Sequence, residues 1–152
     1  MARHGEFMKS FKQFMEESGG LKTLAELKFL LPEIIKVSQG VYDSWAQDSD
    51  GMDAELGCGG ICQDIAGEIC GVLSENGCEC STVSQEIGEQ HVYTVVKLEE
   101  GVYEVDIPPY VYESGGGYNW RKIPNVSFNQ DHVVISKLDG DPESFENYAG
   151  EY

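Results

Sequence analysis

A cysteine, a histidine and an aspartate follow one another at Cys62, His91 and Asp106. The sequence predicts Cys62 in the first turn of a helix, and the other two residues on two later strands. A helix N-terminus offers unpaired N–H groups and the positive end of the helix dipole, which stabilise a thiolate. A histidine can take the proton of such a thiol, and a carboxylate can orient the histidine. The pattern therefore indicates a thiol nucleophile, its base and an orienting acid.

The cysteine and the histidine also have structural interpretations. A cysteine on an apolar helix stripe is commonly a small buried residue, and an isolated histidine at the start of a strand is more often structural than catalytic. His132 is a rival base because it also opens a predicted strand. No carboxylate or amide downstream of His132 lies in a strand motif of comparable quality, so we favour His91.

The predicted hairpin links His91 to Asp106. If residues 99–100 form its turn, Asp106 pairs opposite Tyr93, whose side chain shares a face with His91. His91 and Asp106 are then diagonal neighbours, roughly 7–8 Å apart at the backbone and within side-chain reach. The opposite face of the hairpin is the more apolar one. We therefore expect a sheet that is covered on both sides, so that the cysteine-bearing helix can approach the histidine.

Helices are predicted in the first half of the chain. Apolar residues at helical spacing indicate an amphipathic helix over residues 5–17, and a second helical stretch begins near Leu21. Pro32 interrupts that stretch or opens a third helix, as proline does in a first turn. A helix from about Ile61 to Ser74 ends near residues 76–77. Its inner stripe is predicted to contain Cys62, Ile65, Ala66, Ile69 and Leu73.

Strands are predicted in the second half, at Glu79–Glu86, His91–Leu98, Val102–Ile107 and about His132–Leu138. Helices followed by antiparallel strands define an α+β fold, with the N-terminal helices and the nucleophile helix packed on a small antiparallel sheet. We expect a single domain over 1–152. It comprises a helical segment (1–50), the catalytic-type helix with the sheet (57–139), and an acidic tail (140–152) that is expected to be mobile.

Composition excludes several classes of partner. The formal charge of −17 argues against nucleic acid and against anionic membranes. No apolar run approaches the roughly 18 residues that span a bilayer, and the N-terminus lacks the apolar core of a secretory signal. We therefore expect a cytoplasmic protein, although secretion by a route that needs no signal stays open.

Five cysteines are an odd number, which excludes a complete disulfide framework and favours free thiols in a reducing compartment. A zinc site is a weaker alternative. Structural zinc usually uses two tight cysteine pairs, most often with two intervening residues, and neither pair in this chain has that spacing. The residues weighed for it are Cys58, Cys62, Cys78, Cys80 and His91.

Three short segments resemble a known family. They are Gly60-x-Cys62-x-Asp64-x-Ala66, then residues 91–95 (HVYTV), then Val105-Asp106-x-Pro108. They are similar to the transglutaminase-like thiol enzymes, a branch of the papain-like cysteine hydrolases. The resemblance covers roughly residues 57–109. It implies that Cys62 is the nucleophile, His91 the general base and acid, and Asp106 the orienting group.

The expected function is thiol-dependent acyl transfer on a protein or peptide amide, as in a cysteine peptidase, amidase, deamidase or transglutaminase. We favour hydrolysis, because water is the default acceptor and no acidic amine-binding site stands out. No metal or organic cofactor is needed. Gln47 is a weak candidate for an oxyanion donor and Trp120 for a substrate contact. The alternative is a non-enzymatic acidic interaction or structural protein on a papain-like scaffold. The sequence does not indicate an oligomeric state.

Overall fold

The computed structural model describes residues 22–47, 61–85, 91–115 and 121–148. The helix predicted over residues 5–17 lies outside this part of the chain, as do Cys58 and Trp120. What the structure describes is a mixed helix and sheet fold with a small antiparallel sheet, which agrees with the α+β prediction.

Three α-helices precede the sheet in the described ranges: α1 (Leu24–Lys28), α2 (Leu31–Gln47) and α3 (Ile61–Glu75). Thr23 caps α1 in a reciprocal capping box with Glu26. Pro32 is the second residue of α2, where its missing N–H costs no helical hydrogen bond. Gly77 ends the α3 segment with a φ of 86°, a conformation that suits glycine. Within the described residues, no helix combines the length and hydropathy that a membrane span requires.

The described strands are β1 (Glu79–Gln85), β2 (His91–Leu98), β3 (Gly101–Asp106), β4 (Glu113–Ser114), β5 (Arg121–Lys122) and β6 (Val134–Asp139). Four of them form the main antiparallel sheet, in the order β1–β2–β3–β6. The other two, β4 and β5, form a small separate sheet.

The hairpin between β2 and β3 has the predicted register. Leu98 pairs with Gly101, which leaves residues 99–100 as the turn. Gly101 has a φ of +140°, and a Cβ at this position would overlap the carbonyl oxygen of Asp139 on β6. A glycine is therefore needed where the hairpin meets β6. The strand ends at Asp106, and Pro108 and Pro109 follow in a 3₁₀ turn, so the prolines stop the strand as the sequence predicts.

One face of the sheet is covered by α3, which also packs against α2. The predicted inner stripe of α3 is buried throughout. The core between helices and sheet includes Ile65, Ile69 and Leu73 of α3 with Val96 and Val105 of the sheet. Burying these apolar side chains is the main source of stability for this layer.

The other face of the sheet is covered by a segment that we expected to be a mobile acidic tail. Residues Pro142–Asn147 instead form a 3₁₀ helix, capped by the Asp141 side chain. Its Phe145 is 5% exposed and packs in a cluster with Val83, Val95 and Val102. For residues 142–147 the expectation of a mobile segment is therefore wrong, because one aromatic side chain of this acidic segment is buried against the sheet.

The expectation of free thiols is wrong for two cysteines. Cys70 of α3 and Cys80 of β1 form a disulfide, with Cα atoms 5.8 Å apart. The reversal after α3 returns the chain along that helix, so residues ten apart in the sequence face each other. Of the cysteines that the structure describes, Cys62 and Cys78 take no part in a disulfide, and both are buried.

Candidate functional site

His91 and Asp106 are in direct contact. Nε2 of the imidazole lies 2.8 Å from Oδ2 of the carboxylate, and the two side chains are 18% and 3% exposed. His91 begins β2 and Asp106 ends β3, so antiparallel pairing brings both residues to the same end of the sheet. The observed pairing of Thr94 with Val105 continues to Tyr93 opposite Asp106, the register expected from the sequence. The two side chains therefore meet as diagonal neighbours.

Cys62 is the second residue of α3 and lies over the start of β2. Its side chain packs in a small cluster with Ala66 and Val92, and the residue is 8% exposed. One helical turn further along, the carbonyl oxygen of Ala66 accepts a hydrogen bond of 2.8 Å from the hydroxyl of Thr94. These contacts align the N-terminal turns of α3 with the first residues of β2.

Cys62 and His91 approach each other around the end of β2. Val92 and Thr94 face α3, whereas strand alternation places His91 and Tyr93 on the opposite face, where their rings stack with centroids 6.0 Å apart. His91 is the first residue of the strand, and its ring lies within electrostatic reach of the Cys62 side chain. Its Nδ1 atom is buried and has no hydrogen-bond partner among the described residues. With Nε2 engaged by Asp106, Nδ1 is the nitrogen left for proton exchange.

The pKa of His91 is raised from 6.5 to about 10. Burial acts to lower this pKa, because it disfavours the charged imidazolium. The hydrogen bond to Asp106, the interaction with Cys62 and the charges of both groups outweigh that effect. The imidazole at this position therefore holds a proton strongly at neutral pH.

The two carboxyl groups on this face of β3 are also perturbed. Burial raises the pKa of Asp106, against the opposing effect of the hydrogen bonds from His91 and from the Ile107 N–H. Glu104 lies two residues earlier, on the same face of the strand. Burial and the charge of Asp106 raise the pKa of Glu104, and the charge of His91 acts to lower it. Glu104 was not singled out from the sequence, although its spacing from Asp106 places the two on one face.

Gln47 and Trp120 were the weaker candidates. Gln47 is exposed at the end of α2 and lines a cavity of about 660 Å³ together with Tyr42, Asp43 and residues 124–127. None of the described residues that line this cavity is Cys62, His91 or Asp106. Trp120 lies outside the described residues, so its predicted role stays a prediction.

His132 does not open a strand, contrary to the prediction that made it the rival base. It ends a 3₁₀ turn, Gln130–His132, and β6 begins two residues later. Its Nδ1 accepts a hydrogen bond of 3.1 Å from the Asn129 N–H, so the imidazole caps the turn. The side chain of Asn129 in turn accepts from the Asp131 N–H. This local capping was not visible in the apolar pattern of the strand.

The zinc alternative involved cysteines that the structure separates. Cys80 is bonded to Cys70, and burial raises the pKa of Cys78 to about 12, with a further contribution from the charge of Glu26. Among the residues that the structure describes, no three potential metal ligands come together.

Comparison of the chain with family models, with curated proteins and with solved structures finds no match.

Proposed function

We propose that this protein is a thiol-dependent enzyme that transfers an acyl group from an amide or peptide bond, with Cys62 as nucleophile. The contact of 2.8 Å between His91 and Asp106, beside the first turn of α3, carries this proposal. A carboxylate bonded to one imidazole nitrogen fixes the ring and leaves the other nitrogen to serve a neighbouring thiol. No metal or organic cofactor takes part in the proposed reaction.

In the proposed resting site, the proton of Cys62 has already passed to His91, whose raised pKa of about 10 keeps the imidazole protonated at neutral pH. The resulting imidazolium stabilises the thiolate, which is the nucleophilic form of cysteine. The thiolate attacks the amide carbonyl, and the first-turn N–H groups of α3 stabilise the oxyanion. The C–N bond then breaks, the leaving amine takes the proton back from His91, and a thioester on Cys62 remains.

Water then attacks the thioester, again through His91 as base, and the carboxylic acid leaves. An amine in place of water would give a transglutaminase-like product. We favour hydrolysis because water is the default acceptor. The residue types and their chain order support a papain-like or transglutaminase-like arrangement of the helix and sheet as part of the same proposal. A protein or peptide substrate also belongs to it. The expected cytoplasmic location rested on free thiols, and the Cys70–Cys80 disulfide argues against a reducing compartment.

Selective alkylation tests the proposal, with Cys78 as an internal control. Cys62 and Cys78 are nearly equally buried, at 8% and 7% exposure, but the raised pKa of the Cys78 thiol makes Cys78 a slow reference in any case. The deciding comparison is therefore the alkylation rate of Cys62 in the wild type and in His91→Gln. Iodoacetamide near neutral pH, followed by peptide mass mapping, should modify Cys62 at least about tenfold faster. His91→Gln should remove most of that advantage. Equal slow labelling of both thiols, unaffected by His91→Gln, would contradict activation of Cys62.

The second candidate is a non-enzymatic acidic interaction protein on the same scaffold. The packing of Cys62 against Ala66 and Val92 favours it, because structural cysteines commonly have such aliphatic surroundings. The charge of −17 would then suit a basic partner. Retention of a basic protein by both the wild type and Cys62→Ala, with no amide turnover by either, would support this candidate.

A further inference from the structure

We propose that Thr94 is a positioning residue for the candidate site, whose hydroxyl fixes α3 on β2 so that Cys62 stays beside His91. The inference rests on the proposed function and adds to it a residue that neither reacts nor touches the substrate.

The contact is a buried, directional one. Thr94 and Ala66 are both 0% exposed, and the Thr94 hydroxyl donates to the Ala66 carbonyl oxygen at 2.8 Å. The carbonyl has two lone pairs, so it can accept this bond in addition to its bond within the helix. A buried hydroxyl that lost this partner would remain unsatisfied, which opposes any sliding of α3 along the strand.

Both members of the proposed nucleophile–base pair lie close to this contact. Cys62 is one turn before Ala66, a rise of about 6 Å along the helix. His91 is three residues before Thr94, about 10 Å along the strand. Val92 lies between His91 and Thr94 on the strand, and it packs in one cluster with Cys62 and Ala66. A shift at the Thr94–Ala66 contact is therefore transmitted to the distance between the sulfur and the imidazole.

The other contacts between α3 and the sheet do not fix the position of α3 along β2. The side chains that join α3 to the sheet are mostly apolar, and apolar packing by itself is not directional. The Cys70–Cys80 disulfide ties α3 to β1 one turn beyond Ala66, on the side away from Cys62. Among the described residues, the Thr94–Ala66 hydrogen bond is thus the contact that holds the N-terminal part of α3, which carries Cys62, on β2, which carries His91.

The test compares Thr94→Val, Thr94→Ser and Thr82→Val. Valine keeps the shape and removes the hydroxyl, whereas serine keeps the hydroxyl. Thr82 pairs with Thr94 across β1 and β2, so Thr82→Val makes the same chemical change on the adjacent strand and leaves the Ala66 bond in place. Iodoacetamide alkylation of Cys62 and amide hydrogen exchange of residues 62–70 are measured for each variant.

We expect Thr94→Val to slow alkylation by about three- to tenfold, the factor that the loss of one hydrogen bond gives. Thr94→Ser and Thr82→Val should stay within about twofold of the wild type by the same reasoning. Amide exchange in the first turns of α3 should rise in Thr94→Val only. An unchanged alkylation rate in Thr94→Val, with His91→Gln still slow, overturns the role of Thr94 and leaves the proposed function intact.

The two proposals can fail separately. If His91→Gln alkylates like the wild type, the proposed function fails, and the exchange measurement then decides on Thr94 alone. Equal exchange in Thr94→Val and Thr82→Val would show that the hydroxyl does not hold α3 on β2. A Thr94→Val protein that does not fold is replaced in the same comparison by Thr94→Ala, which removes the hydroxyl without adding a second methyl group.

Discussion

Asp106 holds His91 through Nε2 and leaves Nδ1 as the buried nitrogen without a partner among the described residues. Because the pKa of His91 is raised to about 10, the ring is an imidazolium at neutral pH, and both of its nitrogens carry a proton. The bond from Nε2 to the carboxylate therefore fixes the orientation of the ring before any substrate arrives.

Replacing Asp106 by asparagine should slow alkylation of Cys62 at least about tenfold at neutral pH. Asparagine keeps the shape of the side chain but removes the charge that favours the imidazolium. Glu104→Gln is the matched control, because it removes a carboxylate from the same face of β3 without touching the 2.8 Å contact. We expect a smaller effect from this control. A larger loss in Glu104→Gln would reverse the assignment of the two acids.

Stability should fall as the pH rises from about 6.5 towards 10. The pKa of His91 is raised to about 10 in the folded protein, above its ordinary value of 6.5, so the folded state binds the proton more tightly. The stabilisation is complete below about 6.5 and is lost as the pH passes through the folded-state pKa. Urea unfolding of the wild type and of His91→Gln at pH 6 and pH 10 measures the effect. The wild type should lose at least about 1 kcal/mol more than the variant, and equal losses would contradict the raised pKa.

Reduction of the Cys70–Cys80 disulfide should lower the free energy of unfolding by about 2–3 kcal/mol, as expected for a loop of this length. Urea unfolding with and without dithiothreitol measures the change. The double variant Cys70→Ser/Cys80→Ser is the control, and dithiothreitol should not alter its transition. Mass mapping without reduction should show both cysteines protected from iodoacetamide. If both react in the unfolded protein before reduction, the bond is not formed.

Alanine at Gly67 or Gly71 should stabilise the protein by about 0.5–1 kcal/mol each. Both glycines are exposed in the interior of α3, and an added Cβ would meet nothing within 4 Å. Gly101→Ala is the opposite case, because its Cβ would overlap the Asp139 carbonyl at a φ of +140°. The midpoint of thermal unfolding should therefore rise for Gly67→Ala and Gly71→Ala and fall for Gly101→Ala. A lower midpoint for Gly67→Ala would indicate a contact on this face of α3.

The local features of the fold were predictable where one kind of signal dominated. Helix α3, the residues 99–100 turn and the end of β3 follow from apolar spacing, turn residues and prolines. The pairing of His91 with Asp106 followed from strand register alone, because side-chain direction alternates with a period of two. These inferences need no knowledge of the tertiary structure.

Features that depend on packing between distant segments were not predictable. The disulfide needs the return of β1 along α3, and the burial of Phe145 needs the uncovered face of the sheet. The approach of Cys62 and His91 was not predictable either. Strand alternation places His91 on the face away from α3, but it does not show that a ring at the end of the strand still interacts with a side chain of α3.

The segment that carries Phe145 follows all six described strands in the chain. During synthesis on the ribosome, Val83, Val95 and Val102 therefore emerge before the side chain that will cover them. Until then, one side of the nascent sheet offers an apolar surface to chaperones or to other nascent chains. The acidic residues around Phe145 would keep residues 142–147 solvated until Phe145 packs on the sheet.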